Sequence, residues 1–245
     1  GRPGARIAGS AGVLARRNAM RNPGRTAATA VALMIGIALV AFSAVLGAGM
    51  RDSMKGALAD QVRADYVLVG QDGWSPIDPD AAKTVANVPG VQVSTGLVQD
   101  RARAFGDKIA VDGVDEKRIA SVFGFDWKSG SDSSYAKLAS GGAIVTDEFA
   151  KDHHLSVGDR FQVTAIKGDR LGLSVAGISK PDKFNPLGTG EVTIARSVYA
   201  RSFSAERERY AFVAADGAPR PALEKALAPF ADVKLAFPRA GHTAT

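Results

Sequence analysis

The apolar stretch AATAVALMIGIALVAFSAVLGAG (27–49) decides the architecture of this chain. Its 23 residues carry no charge, and Arg25 and Arg51 lie on either side of it. As a helix it is about 34 Å long, which is enough to cross a hydrocarbon core of roughly 30 Å. Helices of soluble proteins rarely stay apolar on every face over such a length. The stretch therefore predicts a single membrane-spanning helix at residues 26–50.

The charge distribution predicts which side of the membrane each flank occupies. Six arginines and no acidic residue precede the apolar stretch, and the 25 basic residues after it are matched by all 25 acidic ones. The whole formal charge of +6 thus lies in the first 25 residues. Short basic flanks stay in the cytoplasm. We therefore expect a plasma-membrane protein with residues 1–25 in the cytoplasm and the main domain outside.

The arginines closest to the span are expected to bind membrane lipid. Arginines beside a span commonly contact anionic headgroups, whereas a nucleic-acid binder spreads its basic residues over a folded face. Nucleic acid is therefore not expected as a partner. The segment 1–25 is expected to contain a weak amphipathic helix from Leu14 and a turn at 22–24, with a flexible basic linker as the alternative. The expected anchoring residues are Arg16, Arg17, Arg21 and Arg25.

A cleaved signal peptide is the alternative interpretation of the apolar stretch. The apolar region of a signal peptide usually holds about 7–15 residues and ends at a small-residue cleavage site. This stretch is longer, although residues 44–49 include small side chains, and no twin-arginine consensus follows Arg16 and Arg17. The chain also begins at Gly1, so its first residues are expected to come from the middle of a longer polypeptide.

Small residues recur within the span at every fourth position. Ala28, Ala32 and Gly36 share one helix face, and this spacing allows another helix to approach closely. They are therefore expected to be helix-packing residues, although the general abundance of alanine explains the pattern equally well.

After the span, the pattern predicts an α+β domain at residues 51–236, with one sizeable core or two small lobes, followed by a tail at 237–245. Helical character continues to about residue 64, and eight to ten short strands with interspersed helices follow. Asp78 and Pro79 resemble the N-cap and first position of a helix. Two hairpins are expected, at residues 97–114 and around the turn 167–169. The remaining expected strands are at 66–70, 142–145, 191–195, 209–215 and 233–237, and the remaining helices at 147–155, 196–203 and 219–229.

No motif in the chain indicates catalysis, a metal or a cofactor. His153 and His154 are adjacent and therefore point about 100° apart on a helix, so we expect a surface pair. Asp147 and Glu148 suit the positive end of a helix dipole. Neither a G-x-S-x-G elbow nor a phosphate-binding loop occurs. The aromatic residues at 123–127 are expected to close one lobe of the core, with a surface-binding cluster as the alternative. The loop at 180–190 is expected to be a connection.

Several segments together resemble a known family. The basic lead into the span, LARRNAMRNPGRTAATAVALMIGIALV (14–40), is similar to the entry into a membrane helix of FtsX-like permeases of ABC transporters. IAVDGVDEKRI (109–119) and GGAIVTDEFAKDHHLSVGDRFQV (141–163) resemble segments of the MacB-like extracytoplasmic core domain. LSVAGI (173–178) followed by EVTIARSVYARSF (191–203) resembles that domain's next strand and helix. The resemblance covers about residues 12–236 and rests on the order of these segments.

The resemblance implies a permease subunit that performs no covalent chemistry itself. Its expected partners are a cytoplasmic ABC ATPase, membrane lipid and a second permease in a homo- or heterodimer. ATP hydrolysis would be relayed to the outer domain for export or mechanotransmission. The family has three further membrane helices after the outer domain, so the chain is expected to be a fragment, a truncated gene product or part of a larger permease. The alternatives are a single-pass anchored sensor or binding domain and a secreted enzyme behind an uncleaved signal.

Overall fold

The computed structural model describes residues 23–180, 187–204, 207–216 and 220–236, with the side chains of 26 and 47–60 left aside. The chain divides into two compact units, Gly1–Ser53 and Met54–Thr245. Helix α1 (Pro23–Gln61) is 39 residues long and begins in the first unit. Within it, Pro23–Leu46 has a mean hydropathy of 2.5 and none of its described side chains is buried. Among the described residues this is the one segment long and apolar enough to span a membrane.

The start of α1 corrects one expectation. The sequence predicts a turn at 22–24, but the structure places Pro23 and Gly24 in the helix. Proline is well tolerated in a first helical turn because its missing N–H would have no partner there.

The second unit is a mixed α+β domain, which confirms the predicted fold class. Its described strands are β1 (Tyr66–Gly70), β2 (Val91–Ala104), β3 (Asp107–Val114), β4 (Trp127–Ser129), β5 (Gly142–Thr146), β6 (Arg160–Ala165), β7 (Arg170–Ser179), β8 (Val192–Ala195), β9 (Tyr210–Ala215) and β10 (Val233–Ala236). Its described helices are α2 (Pro79–Ala86), α3 (Ile119–Val122), α4 (Tyr135–Leu138), α5 (Asp147–Asp152), α6 (Arg196–Tyr199) and α7 (Arg220–Leu227), with a 3₁₀ turn at Asp132–Ser134.

Six of these strands close into a barrel. Strand β2 pairs with β3, β3 with β8, β8 with β5, β5 with β7, β7 with β6, and β6 again with β2. Closure leaves none of the six with a free edge, and side chains alternate between interior and exterior. The interior is apolar, as Ala102, Ile109, Val163 and Leu173 illustrate by their burial.

Strand β2 belongs to two sheets. Its first half pairs with β9 in the antiparallel order β10-β1-β9-β2, and its second half belongs to the barrel. Helices α2 and α7 cover the four-stranded sheet through a second apolar cluster that includes Leu68, Val85 and Leu223. The domain therefore has two hydrophobic cores, and the four-stranded sheet contributes to both, since Val67 and Phe212 belong to the first core and Leu68 and Val213 to the second.

Local sequence signals explain where two of the helices begin. Asp78 accepts a hydrogen bond from the backbone N–H of Asp80 and caps α2, with Pro79 in the first turn, as predicted. Thr146 caps α5 by accepting from the N–H of Phe149. Both caps satisfy amide groups that lack an intrahelical partner.

Candidate functional site: the junction between helix and domain

The end of α1 is tied to the β-rich domain by backbone hydrogen bonds. The carbonyl of Gln61 accepts from the N–H of Gly124 at 2.8 Å, and Val62 forms an isolated antiparallel bridge with Phe123. The carbonyl of Val122 accepts from the N–H groups of both Arg63 and Ala64, at 2.9 and 3.1 Å. The helix terminus is thus continued directly into the domain, since residue 66 already begins strand β1.

The Arg63 side chain adds a second layer of contacts at this junction. Its Nη1 donates to the carbonyl of Ala120 at 2.7 Å and to the carboxylate of Asp132 at 3.1 Å. The ion pair is about half exposed on both sides, so its contribution to stability is about 1 kcal/mol or less. Its main effect is geometric, because it joins the residues after α1 to the 3₁₀ turn at Asp132–Ser134.

Gly124 lies in close contact with the guanidinium group of Arg63. A Cβ at this position would lie 2.7 Å from Nη2 of Arg63 and 2.9 Å from Cζ. A larger residue would therefore displace the guanidinium group that joins α1 to the 3₁₀ turn.

A chain of aromatic rings leads from the junction into the domain. Phe123 lies 5.1 Å from Phe125 and 5.5 Å from Phe212 of β9, and Phe125 lies 5.6 Å from Trp127. The Trp127 indole N–H donates to Asp132, which lowers the pKa of this carboxyl, and the hydrogen bond from Arg63 lowers it further. Phe123 is buried and the other two rings pack against the same core, as the sequence predicted.

A second polar feature is the buried carboxyl group of Asp112 on β3. Its oxygens accept from the backbone N–H of Gly190 at 2.7 Å and from the Gln99 side chain at 2.8 Å. Burial raises the pKa of Asp112 to about 7, against the opposing effect of these two hydrogen bonds. This carboxyl group holds the end of the loop that precedes β8 against the barrel.

A largely buried ion pair between Arg196 of α6 and Glu208, which precedes β9, lies against Gly96 in the first half of β2. The carboxylate of Glu208 is almost fully buried and accepts from Nη1 of Arg196 at 2.7 Å, while its Oε2 has no hydrogen-bond partner among the described residues. Gly96 makes room for it, because a Cβ there would lie 1.8 Å from the carboxylate. Burial raises the pKa of Glu208, and the charge of Arg196 opposes that rise.

The predicted membrane residues are placed by the structure as follows. Arg25 is exposed and lies inside the first turns of α1. Ala28, Ala32 and Gly36 are exposed on α1, and nothing lies within 4 Å of a Cβ built on Gly36. Arg16, Arg17 and Arg21 lie outside the described residues.

The histidine pair differs from the expected surface pair. His154 is exposed, but the His153 ring stacks on Phe105 with centroids 4.3 Å apart and meets Phe149 edge-on at 4.6 Å. The two side chains diverge because adjacent residues point in different directions, and His153 is half-buried against the two phenylalanine rings. Within the described parts of the chain, no group of three or more acidic or histidine side chains is placed to hold a metal ion.

Sequence reasoning missed most of the residues that form these polar features. Arg63, Asp132 and Glu208 belong to no motif, and each meets its partner only through folding. One part of the junction was predictable from the sequence. The aromatic residues at 123–127 were expected in the core, and in the structure they lie at the junction.

Comparison with known proteins identifies the family. Residues 26–230 match the family model described as the MacB-like periplasmic core domain. The periplasmic region of MacB from Actinobacillus actinomycetemcomitans is similar in structure, with a TM-score of 0.51 and 11% identity over 71% of this chain and 89% of that one. Among curated proteins, no sequence matches.

Two further solved structures are more distantly similar. The extracellular domain of the noncanonic ABC-type transporter YknZ from Gram-positive bacteria has a TM-score of 0.44 and 14% identity over 68% of this chain and 88% of that one. A domain assigned to a permease protein from Porphyromonas gingivalis has a TM-score of 0.46 and 13% identity over 72% of this chain and 91% of that one.

The resemblance noted in the sequence is therefore confirmed. An apolar helix precedes a domain whose family is periplasmic, which is the arrangement of a membrane-anchored protein with an extracytoplasmic domain. By its family match and by its fold, this chain belongs to the MacB-like periplasmic core domain family of ABC transporter permeases.

Proposed function

We propose that this chain is part of a permease subunit that relays ATP-driven movement from a cytoplasmic ABC ATPase to its extracytoplasmic domain. The observation that carries the proposal is the junction, where the end of α1 and the residues after it form three backbone hydrogen bonds with residues 122–124. The family supports the transport context. The relay serves export or mechanotransmission.

The junction has the physical properties that such a relay requires. A displacement of a helix reaches a domain only if the connection resists bending, and a flexible linker would absorb it. Here Arg63 and Ala64 donate backbone hydrogen bonds to the carbonyl of Val122 at the end of α3. The Arg63 side chain also contacts Ala120 and the 3₁₀ turn at Asp132–Ser134. The aromatic rings from Trp127 to Phe212 then connect this point to the four-stranded sheet.

The membrane part of the proposal concerns lipid and a second permease. The exposed stripe of Ala28, Ala32 and Gly36 offers a second helix a close approach. A homo- or heterodimer of permeases is therefore proposed, with Arg16, Arg17, Arg21 and Arg25 on anionic headgroups at the cytoplasmic surface.

Loosening the junction should uncouple the ATPase while leaving the fold intact. In the complete permease, we expect Arg63→Ala combined with Asp132→Ala to lower coupling by about 0.5–2 kcal/mol, which is roughly two- to thirtyfold. The pair is half exposed and therefore contributes little to stability, but it holds the residues after α1 against the 3₁₀ turn. The measurement is permease-stimulated ATP hydrolysis in membranes that contain the complete permease and its ATPase.

The matched control is a second exposed ion pair of the same kind. Arg220 and Glu224 lie 2.7 Å apart with similar exposure, on α7 and away from the junction. Arg220→Ala with Glu224→Ala should leave ATP hydrolysis unchanged. Full coupling in the junction variant, or an equal loss in both variants, would contradict the proposal.

The proposed orientation is testable with single cysteines, since the chain contains none. Lys167→Cys lies in the turn between β6 and β7, and Ser10→Cys lies before the span. A membrane-impermeant maleimide should label the first variant in intact cells and the second only after the membrane is opened. Labelling of Ser10→Cys in intact cells would show that the orientation is reversed.

A further inference from the structure

A row of basic side chains crosses the outer wall of the barrel. Arg170 on β7 is directly opposite Thr164 on β6, Thr164 is opposite Arg103 on β2, and Arg103 is opposite Lys108 on β3. Directly opposite residues of antiparallel strands project from the same face. With strands about 4.8 Å apart, the row is roughly 14 Å long. Arg101, two residues before Arg103, projects from this face as well.

The alternation of burial confirms that this face is the barrel's exterior. Ala102, Ala104, Ile109, Val163 and Ala165 are buried toward the interior. The residues between them are exposed or half-buried. The exposed basic residues at this end of the face are Arg101, Arg103, Lys108 and Arg170, and Arg160 at the start of β6 is exposed on the same face.

Within the described part of the chain, none of these four basic residues forms an ion pair. The acidic residues nearest along the strands are Asp100, Asp107, Asp169 and Glu191. The Asp100 carboxylate accepts from the backbone N–H of Arg101 at 2.7 Å. Glu191 accepts from the backbone N–H of Ala110 at 2.6 Å, and Asp107 lies 3.9 Å from the His153 ring. Asp169 lies in the turn before β7. The Arg103 side chain donates a long hydrogen bond, of 3.3 Å, to the carbonyl of Gly106, an acceptor that carries no formal charge.

The arrangement has an electrostatic cost in the isolated domain. Like charges directly opposite on neighbouring strands destabilise a sheet, and Arg103 opposite Lys108 is such a pair. A polyanion laid along the row would remove this repulsion. The row is also bordered by two exposed apolar side chains, Phe105 and Ile166, which follow β2 and β6.

We propose that this basic wall of the barrel, formed by Arg101, Arg103, Lys108 and Arg170, binds an extended acidic segment of a partner protein. A chain in extended conformation covers the row with four or five residues, and its alternate side chains are about 7 Å apart on one face. Arginine and aromatic residues are typical anchors of protein interfaces. Phe105 and Ile166 give a polypeptide apolar contacts beside the charges. The proposal is independent of the coupling function.

The test uses the full chain in phosphatidylcholine nanodiscs and a fluorescein-labelled decapeptide of alternating glutamate and serine. Its twin contains glutamine in place of glutamate. Binding is followed by fluorescence anisotropy at low ionic strength and at about 0.15 M salt. We expect the acidic peptide to bind and the twin not to bind. Arg103→Glu with Lys108→Glu should weaken binding roughly tenfold or more, and the corresponding double change to glutamine should weaken it less.

The matched control reverses the charge of two exposed lysines that lie outside the basic wall. Lys117→Glu with Lys137→Glu changes the net charge equally and should leave the affinity unchanged. An equal loss in this control would show that only net charge matters and would overturn the proposal. So would equal binding of the glutamine twin, absence of binding by the acidic peptide, or capture by phosphatidylglycerol vesicles that the peptide does not compete away.

A stability measurement tests the repulsion itself and guards against misfolding of the reversed variants. Lys108→Glu alone places opposite charges across β2 and β3, so it should raise the thermal midpoint by roughly 1–4 °C. Lys117→Glu should not raise it. A midpoint that falls in Lys108→Glu would contradict the repulsion on which the proposal rests.

Discussion

Replacing Arg196 by methionine is expected to destabilise the β-rich domain by about 3–5 kcal/mol at neutral pH, because it leaves a buried carboxylate without its counter-ion. The side chain of Glu208 is 5% exposed and that of Arg196 is 31% exposed. Among the described residues, only one Glu208 oxygen is hydrogen-bonded, and the partner is Arg196. Arg196 also donates to the carbonyl of Gly96, and this bond is lost in the same variant.

The pH dependence of this variant has a defined sign. Burial raises the pKa of Glu208 in the folded protein above its value in the unfolded chain. The folded state therefore holds the proton more tightly, and stability falls as the pH rises from the unfolded pKa through the folded one. Without Arg196 the pKa of Glu208 rises further, so the loss should be small in acid and largest at neutral pH.

Urea unfolding of the full chain in detergent measures the effect. Both tryptophans, Trp74 and Trp127, lie in the β-rich domain, so their fluorescence reports its unfolding. Adding Glu208→Gln to Arg196→Met should restore much of the loss, since the uncompensated charge is removed. As a control, Arg207→Met breaks the half-exposed pair with Asp232 and should cost about 1 kcal/mol. Equal effects of the two arginine changes would contradict the assignment.

The second large effect concerns Asp112, whose ionisation should make the wild-type domain less stable as the pH rises from about 4 to 7. The pKa of this carboxyl is about 7 in the folded protein, against an ordinary value of 3.8. Between these two pKa values the folded state keeps the Asp112 proton and the unfolded state has lost it. The resulting contribution to the free energy of unfolding is fully present below the unfolded pKa and is lost as the pH rises to about 7. A difference of this size corresponds to roughly 4 kcal/mol between the two ends of the window.

Asp112→Asn should remove most of this slope. In acid the variant should be less stable, because a single amide oxygen replaces two acceptors for Gly190 and Gln99. At pH 8 it should equal or exceed the wild type, since it has no charge to bury. The slope that remains is expected from Glu208, whose pKa is raised in the same direction.

Asp132→Asn provides the control for this experiment. Its carboxyl has a lowered pKa, through the hydrogen bonds from Trp127 and Arg63, so its contribution is lost only as the pH falls through that pKa. The change should therefore leave the slope between pH 4 and 7 intact. The raised pKa of Asp112 would be contradicted if the wild-type domain lacked this slope. It would also be contradicted if the Asp112→Asn variant kept the slope.

Local sequence patterns predicted secondary structure well where an element depends on contacts between residues close together in the chain. The cap at Asp78 and the hairpin between β2 and β3 depend on neighbours in sequence, and both are confirmed. The short elements β4 and α3 were missed because a few residues carry too little periodicity to be recognised. Trp127 joins a strand only through its pairing with Ser179 of β7, far along the chain.

The sequence by itself determined the long apolar helix, the α+β class and the family, because these follow from hydropathy, local capping and the order of short motifs. Only the tertiary structure decided that six strands close into a barrel, that Arg63 meets Asp132, that Glu208 lies buried on Gly96, and that four basic residues form one outer wall. These contacts join residues distant in sequence, and their energies depend on burial and strand register, which no local pattern contains.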